Sequence, residues 1–278
     1  VALTLDGLGY TYAPRTEFAQ CALEGVSLSV EVGEMVLVLG ATGSGKSTLL
    51  RAAAGLIEAQ SGSAMLDGSQ LTRSSARGVV GLVFQDAESQ LFAETVMADV
   101  EFGPRNLGAS AAHASESARE ALLAVGLDPD RHGARSPFTL SGGEARRAAI
   151  AGVLAMRPRY LMLDEPTAGL DARGRASIRA TVRDARAHAG VVVVSHSAEE
   201  FLGEAERVVV LSRGTVAYLG SATDLIADPT PFAAAGLIAP DVLRFQMLAR
   251  QHGCDPGAFC LDPVQAARNV AAAGGWGS

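Results

Sequence analysis

One short segment constrains this chain more than any other: Gly40-Ala41-Thr42-Gly43-Ser44-Gly45-Lys46-Ser47-Thr48. Lys46 is the only lysine, and the other 22 basic residues are arginine. The pattern Gly-x-x-x-x-Gly-Lys-Ser makes a phosphate-binding loop. Its glycines let successive backbone N–H groups turn inward around a phosphate chain, and the helix that follows aims its positive end at the same anion. Lysine adds a compact point charge that the planar fork of arginine replaces poorly, and the Ser47 hydroxyl can hold Mg²⁺. The flanks agree: Met35-Val36-Leu37-Val38-Leu39 precedes the loop and Leu49-Leu50-Arg51-Ala52-Ala53-Ala54 follows it. That is strand, loop, helix, the start of an α/β fold.

Other apolar runs extend this reading. Val36–Leu39, Val79–Phe84, Tyr160–Leu163 and Val191–Val194 are short and continuous, as parallel strands buried on both faces are. Helical segments between them predict a sheet covered on both sides. Leu3–Leu5, Val26–Val30 and Thr215–Leu219 alternate with period two and are expected to form a small separate antiparallel sheet. Ala111–Val125 and Ala145–Met156 read as helices. They lie in an insertion of roughly 60 residues, long for a crossover, which predicts an inserted helical subdomain over about 88–156. The first 225 residues are thus expected to form one domain, and 226–278 a helical extension with a helix start at Ala239-Pro240-Asp241. Gly274–Ser278 reads as a linker or an expression scar.

Composition narrows the function. The net charge is −7 with no basic run, so nucleic acid is not the expected partner. Hydrophobic residues make up 48%, yet no stretch reaches the ~18 uninterrupted apolar residues of a membrane span. No signal peptide is visible, and Val1 leaves the native start open. Cys21, Cys254 and Cys260 lack metal-ligand spacing, and the five histidines are scattered. The expectation is a reduced, cytosolic environment without a structural metal.

Further motifs follow the loop. Tyr160-Leu161-Met162-Leu163-Asp164-Glu165-Pro166 puts two carboxylates at the C-terminal end of an apolar strand, where ligands collect in open α/β sheets. Asp164 can anchor Mg²⁺ and Glu165 can orient or deprotonate a water. Alone, such a pair is equally a solvated strand end. Leu140-Ser141-Gly142-Gly143-Glu144 offers an N-cap and two exposed glycine N–H groups, a phosphate site or a plain helix start. His196 can donate to a phosphate, though a lone histidine there is more often structural. Gln85 by itself says nothing.

Together, and in this order, the motifs resemble those of ATP-binding cassette (ABC) ATPase subunits over about residues 3 to 225. Gly40–Thr48 is similar to the Walker A loop, Gln85 to the Q-loop glutamine, Leu140–Glu144 to the signature, Leu161–Glu165 to Walker B, Ala168-Gly169-Leu170-Asp171 to the D-loop and His196 to the switch histidine. Tyr12 resembles the aromatic residue that stacks on adenine, with Tyr10 the second choice. Val83–Phe92, Thr95-Val96, Asp99–Pro104 and the extension with Gly236-Leu237 and Pro240 resemble, more finely, the ATPase subunits of energy-coupling factor (ECF) transporters, including the cobalt and nickel type. Glu144 stands where the family usually has Gln, and Ser197 where it usually has Asp.

The resemblance implies a P-loop NTPase core with an antiparallel β subdomain, and ATP with Mg²⁺. Ser47, Gln85 and Asp164 would hold the metal; Glu165, His196 and Gln85 would act in hydrolysis. Tyr12, Gly40–Thr48 and Asp171 would bind nucleotide, and Ser141, Gly142 and Gly143 would grip the γ-phosphate bound to a second ATPase subunit. The partners implied are that subunit, identical or paralogous or fused in a longer chain, an integral membrane scaffold, and through it a substrate-binding membrane subunit. The extension would serve dimerisation, and the site of action would be the cytoplasmic face of the membrane. Residues Gln85–Phe92 are expected to meet the scaffold if Leu91-Phe92 is exposed; the alternative packs both inside the helical subdomain. A translation ABC protein would carry two cassettes and a chromosome-maintenance one a long coiled coil, whereas this chain has one P-loop and no heptads. An intact Glu165 argues against a non-hydrolysing regulatory cassette.

Overall fold

The computed structural model describes residues 2–274. Val1 and the last four residues of the glycine-rich end, on which two of the expectations above fall, lie outside the described residues. The strands are β1 (Ala2–Tyr12), β2 (Gln20–Glu31), β3 (Met35–Gly40), β4 (Ser61–Leu66), β5 (Ser69–Gln70), β6 (Val80–Val83), β7 (Tyr160–Asp164), β8 (Gly190–Ser195), β9 (Arg207–Ser212) and β10 (Thr215–Ser221). They form two sheets, ordered β2-β1-β4-β5 and β10-β9-β3-β8-β7-β6. In the larger sheet β9, β3, β8, β7 and β6 run parallel.

The continuous apolar runs are the central strands because each feeds two cores at once. On β3, Met35, Leu37 and Leu39 face the helical side, while Val36 and Val38 face the smaller sheet. On β8, Val191 and Val193 divide from Val192 and Val194 in the same way. The helix Lys46–Ala53 lies between the sheets, burying Leu49, Leu50, Ala52 and Ala53 in the second core. This is the α/β P-loop architecture expected.

Two expectations need correction. The Thr215–Leu219 alternation is a strand, but β10 does not join the small antiparallel sheet. It pairs antiparallel with β9 at the edge of the larger one. The cause is the two-residue turn Arg213-Gly214, with φ of 49° and 83°, a pairing that closes tight hairpins. The small sheet is completed instead by β4 and β5, and β9 adds a further parallel strand to the four anticipated.

The insertion between β6 and β7 carries the helices Val96–Asn106, Ala111–Ala124 and Gly142–Leu154, joined through buried Val100, Ala118, Leu122 and Ala148. Beyond β10 come the helices Asp241–Gln251 and Pro263–Ala273. Phe232, Leu243 and Phe259 of this region join the same core as the helical side of the sheet. Among the described residues no helix is long and apolar enough to cross a membrane.

Parallel strands end on the same side. Gly40, Asp164 and Ser195 therefore close β3, β7 and β8 along one edge, and the loops leaving them meet there.

Candidate functional site

The phosphate loop leaves β3 at Gly40 and enters its helix at Gly45. Gly45 has φ 103°, and a Cβ there would stand 2.3 Å from the carbonyl oxygen of Ala22. Only glycine lets the loop pass this close to β2. Lys46 is 8% exposed; its Nζ donates to the carbonyl oxygens of Gly40 at 2.7 Å and Ala41 at 2.9 Å. Burial pushes its pKa down, while Glu165 and Asp164 favour the charged form. The Ser44 hydroxyl is buried with no hydrogen-bond partner. A cavity of about 260 Å³ opens beside the loop, lined by Gly43, Gly45, Lys46, Ser47, Thr48 and Tyr12.

Tyr12 ends β1 on the rim of this cavity. Its hydroxyl is 3.1 Å from Thr48 Oγ1 and accepts from Arg51 at 3.2 Å. Tyr10 packs edge-to-face on Tyr12 at 4.9 Å between centroids and leans on the core between the sheets. Of the two rings, Tyr12 is the one that lines the cavity.

Asp164 closes β7 and is 5% exposed. Burial pushes its carboxyl pKa up, and a hydrogen bond with Ser47 opposes the shift. Glu165 has φ 50°, the sparsely populated left-handed region for a non-glycine residue and a recurrent mark of functional sites. Its N–H donates to the Val194 carbonyl at 3.0 Å. Its Oε1 lies 2.9 Å from His196 Nδ1, and Ser195 Oγ donates to Oε2 at 3.4 Å. A carboxylate only accepts, so Nδ1 carries the proton. The His196 side chain is otherwise 66% exposed, with its remaining ring edge towards solvent.

Ser141 caps the helix Gly142–Leu154 in a reciprocal box with Glu144. Its N–H and hydroxyl both donate to Glu144 Oε2, at 2.9 and 3.0 Å. Glu144 thus ties back the serine that was expected to face phosphate, a capping-box contact that a glutamine oxygen can also make. The first cause holding Glu144 below the usual carboxylate range is the Ser141 N–H, with further help from the Ser141 hydroxyl, His132 and Arg135. A Cβ added at Gly142 would meet nothing within 4 Å, so this helix start is open to a ligand. Gly143 approaches Leu170 of the D-loop-like segment. Asp171 caps the helix Ala172–Arg186, its Oδ1 accepting from the Gly174 N–H at 2.7 Å. Gln85 has an exposed side chain, and its carbonyl accepts from Arg146 at 2.6 Å.

Leu91 and Phe92 separate. Leu91 is 8% exposed and belongs to the core, while Phe92 is 58% exposed and packs edge-to-face on Phe102 at 4.8 Å. Neither alternative holds for the pair: Phe92 is exposed and Leu91 packs inside. The ring edges a groove of about 340 Å³ whose walls include Leu107, Val153 and Met156.

Sequence reading passed over Arg146. The signal available was a charged residue in the small-residue stripe Ala145, Ala148, Ala149, but nothing there distinguishes a buried arginine from a solvated one.

The residues fit ATP with Mg²⁺. An orphaned hydroxyl on Ser44, a helix start without acidic residues in its first turn and a lone buried ammonium all suit a polyphosphate. The Ser47 hydroxyl, Asp164 carboxylate and Gln85 amide are the hard oxygen donors that Mg²⁺ prefers. Fold and site define a P-loop nucleotide-binding domain. The family model described as ABC transporter matches residues 23–168. The energy-coupling factor transporter ATP-binding protein EcfA2 of Symbiobacterium thermophilum is 44% identical over 273 residues, 95% of this chain and 94% of that one. EcfA2 of Clostridium perfringens is 41% identical over 249 residues, 87% of each chain. Among solved structures, cbiO1 from Clostridium perfringens, described as part of the ABC transporter complex cbiONQ, matches with TM-score 0.73 and 28% identity, over 88% of this chain and 98% of that one. A dimeric post-hydrolysis structure of the ATP-binding cassette MJ0796 with ADP and Pi matches with TM-score 0.72 and 28% identity, over 79% and 98%. The chain belongs to the ABC transporter family. Within that family it is most like the ATPase components of ECF transporters.

Proposed function

We propose that this chain is the ATP-hydrolysing subunit of an ECF-type importer, working as a peripheral protein on the cytoplasmic face of the membrane. It joins a second ATPase subunit, identical or paralogous, and an integral membrane scaffold that carries a separate substrate-binding membrane subunit. The cargo is a metal ion or a vitamin, and this chain does not touch it. The observation that carries the reading is the meeting, at one sheet edge, of the phosphate loop after β3, Asp164 at the end of β7 and Glu165 paired with His196 at 2.9 Å.

In this reading Gly40 to Thr48 wrap the phosphates, with Ala41, Thr42, Gly43, Ser44 and Gly45 offering backbone and hydroxyl donors. Lys46 exchanges its two carbonyl partners for phosphate oxygens. Tyr12 stacks on the adenine. Ser47, Asp164 and Gln85 would hold Mg²⁺, which when bound would neutralise phosphate charge. Glu165 accepts a proton from the attacking water. His196 steadies Glu165 through Nδ1–H and turns its exposed edge to the γ-phosphate. Gly142 and Gly143, with Ser141 once Glu144 releases it, grip the nucleotide held by the partner subunit, and Asp171 lies on the same interface. Each composite site is complete only when two subunits close, so hydrolysis follows closure and reopening gives the stroke.

Residues 1–225 form the nucleotide-binding domain, with its helical subdomain over about 88–156, and 226–278 the dimerisation extension. The Phe92–Phe102 groove receives an apolar helix of the membrane scaffold. Affinity purification of the full chain from its native membranes tests the assembly. The reading expects a second ATPase chain and at least one polytopic membrane protein to come with it, and recovery of the chain without integral proteins contradicts it.

A further inference from the structure

Arg146 stands outside the residues given roles so far. It sits on the helix Gly142–Leu154, a little over one turn beyond Ser141, and its side chain is 10% exposed. Its guanidinium is shared between two loops, the one after β7 and the one after β6. Nη1 donates to the carbonyl oxygens of Glu165 at 3.2 Å and Ala168 at 2.6 Å. Nη2 donates to the carbonyl oxygen of Gln85 at 2.6 Å. Nε and Nη2 both face Glu88 Oε2 at 3.4 Å, which supplies the counter-charge.

The arrangement exceeds what burying an arginine requires. Glu165 sits at φ 50°, and its carboxylate direction depends on both adjoining peptide planes. The amide of Glu165 is fixed by Val194 on β8; its carbonyl accepts from the Ala168 N–H of its own loop and from Arg146, each at 3.2 Å. One handle therefore belongs to the sheet, the other to the inserted helical subdomain. The same guanidinium anchors the Gln85 loop before that subdomain and the Ala168 loop that leads to Asp171. Five donors in a rigid planar fork can span such a set, whereas a single ammonium cannot.

We propose that Arg146 is a positioning residue for ATP hydrolysis, aligning the Glu165 carboxylate only when the signature helix is docked against the sheet edge. Displacement of that helix withdraws the guanidinium from Glu165, Ala168 and Gln85 together, so the water-activating group loses its alignment while the phosphate loop stays intact. The inference rests on the proposed role of Glu165.

The test uses the complex purified from native membranes, in wild-type, Arg146→Lys, Arg146→Gln and Glu165→Gln forms. Arg146→Lys keeps the charge and loses the fork; Arg146→Gln keeps a planar donor and loses the charge. For each, kcat and KM for ATP are measured together with the midpoint of thermal unfolding. We expect kcat to fall by roughly tenfold or more in both Arg146 variants, with KM and the unfolding midpoint little changed, because the alignment lost serves the chemical step and not nucleotide binding. Unchanged kcat in either folded variant overturns the proposal. So does a loss of activity that tracks loss of folded chain, which marks a structural arginine. The Glu165→Gln complex separates the two levels. If it is inactive while Arg146→Lys turns over normally, only the positioning role fails. If it turns over normally, the role of Glu165 fails and takes the alignment with it.

Discussion

Glu144 closes the start of its helix and carries a charge there. Its carboxylate accepts from the Ser141 N–H and hydroxyl, and it lies 3.4 Å from His132 Nε2. The shift of Glu144 is downward from 4.5, led by the Ser141 N–H. A carboxyl depressed in the folded state binds its proton more readily when unfolded. Its stabilising contribution is therefore complete above the unfolded value and is lost as pH falls through the folded one. Glu144→Gln should remove this term. The unfolding midpoints of wild type and variant, followed against pH, should differ by a constant amount near neutrality and converge as pH drops below 4.5. A difference that does not change with pH contradicts the assignment. The two tyrosines divide in a comparable way. Tyr12→Ala should weaken ATP binding severalfold in a fluorescent-nucleotide titration, since a stacked ring contributes about 0.5–1.5 kcal/mol beyond its area. Tyr10→Ala should lower the unfolding midpoint instead, because that ring leans on the core. The opposite pattern assigns adenine to Tyr10.

At the scale of elements, neighbouring residues part company. Leu91→Ala removes a core side chain and should cost about 2–4 kcal/mol in chemical denaturation. Phe92→Ser should leave that stability nearly unchanged and reduce recovery of the membrane scaffold in affinity purification. Destabilisation by Phe92→Ser of the size seen for Leu91→Ala would place the ring in the fold rather than the interface. Two adjacent apolar letters gave no means to separate them, because a turn decides which one points inward. The central strands were legible since β3, β7 and β8 are buried on both faces and carry unbroken apolar runs. The β10 alternation disclosed a half-exposed strand but not its neighbour; the Arg213-Gly214 turn held that information. The Asp67-Gly68 pair likewise marks the β4–β5 hairpin, a turn signal that the apolar pattern alone does not supply. The placement of the loop and of the carboxylate pair was readable because each is a contiguous motif at the end of a strand. Arg146 was not, since its burial is created by Gln85, Glu165 and Ala168, which approach it only in the folded chain.

For the whole molecule, the groups to which the proposed function gives turnover lie on different elements: Glu165 follows β7, and Gly142 and Gly143 open the helix Gly142–Leu154. In the proposed function hydrolysis belongs to two closed subunits, and its chemical step falls on one carboxylate. Glu165→Gln keeps the shape and removes the base, leaving Lys46, Ser47 and Asp164 untouched. The most direct measurement is ATP affinity and steady-state turnover of the Glu165→Gln complex beside the wild type. The account predicts that affinity is retained and turnover falls by about two orders of magnitude or more, the scale of general-base catalysis. Turnover at the wild-type rate would contradict it.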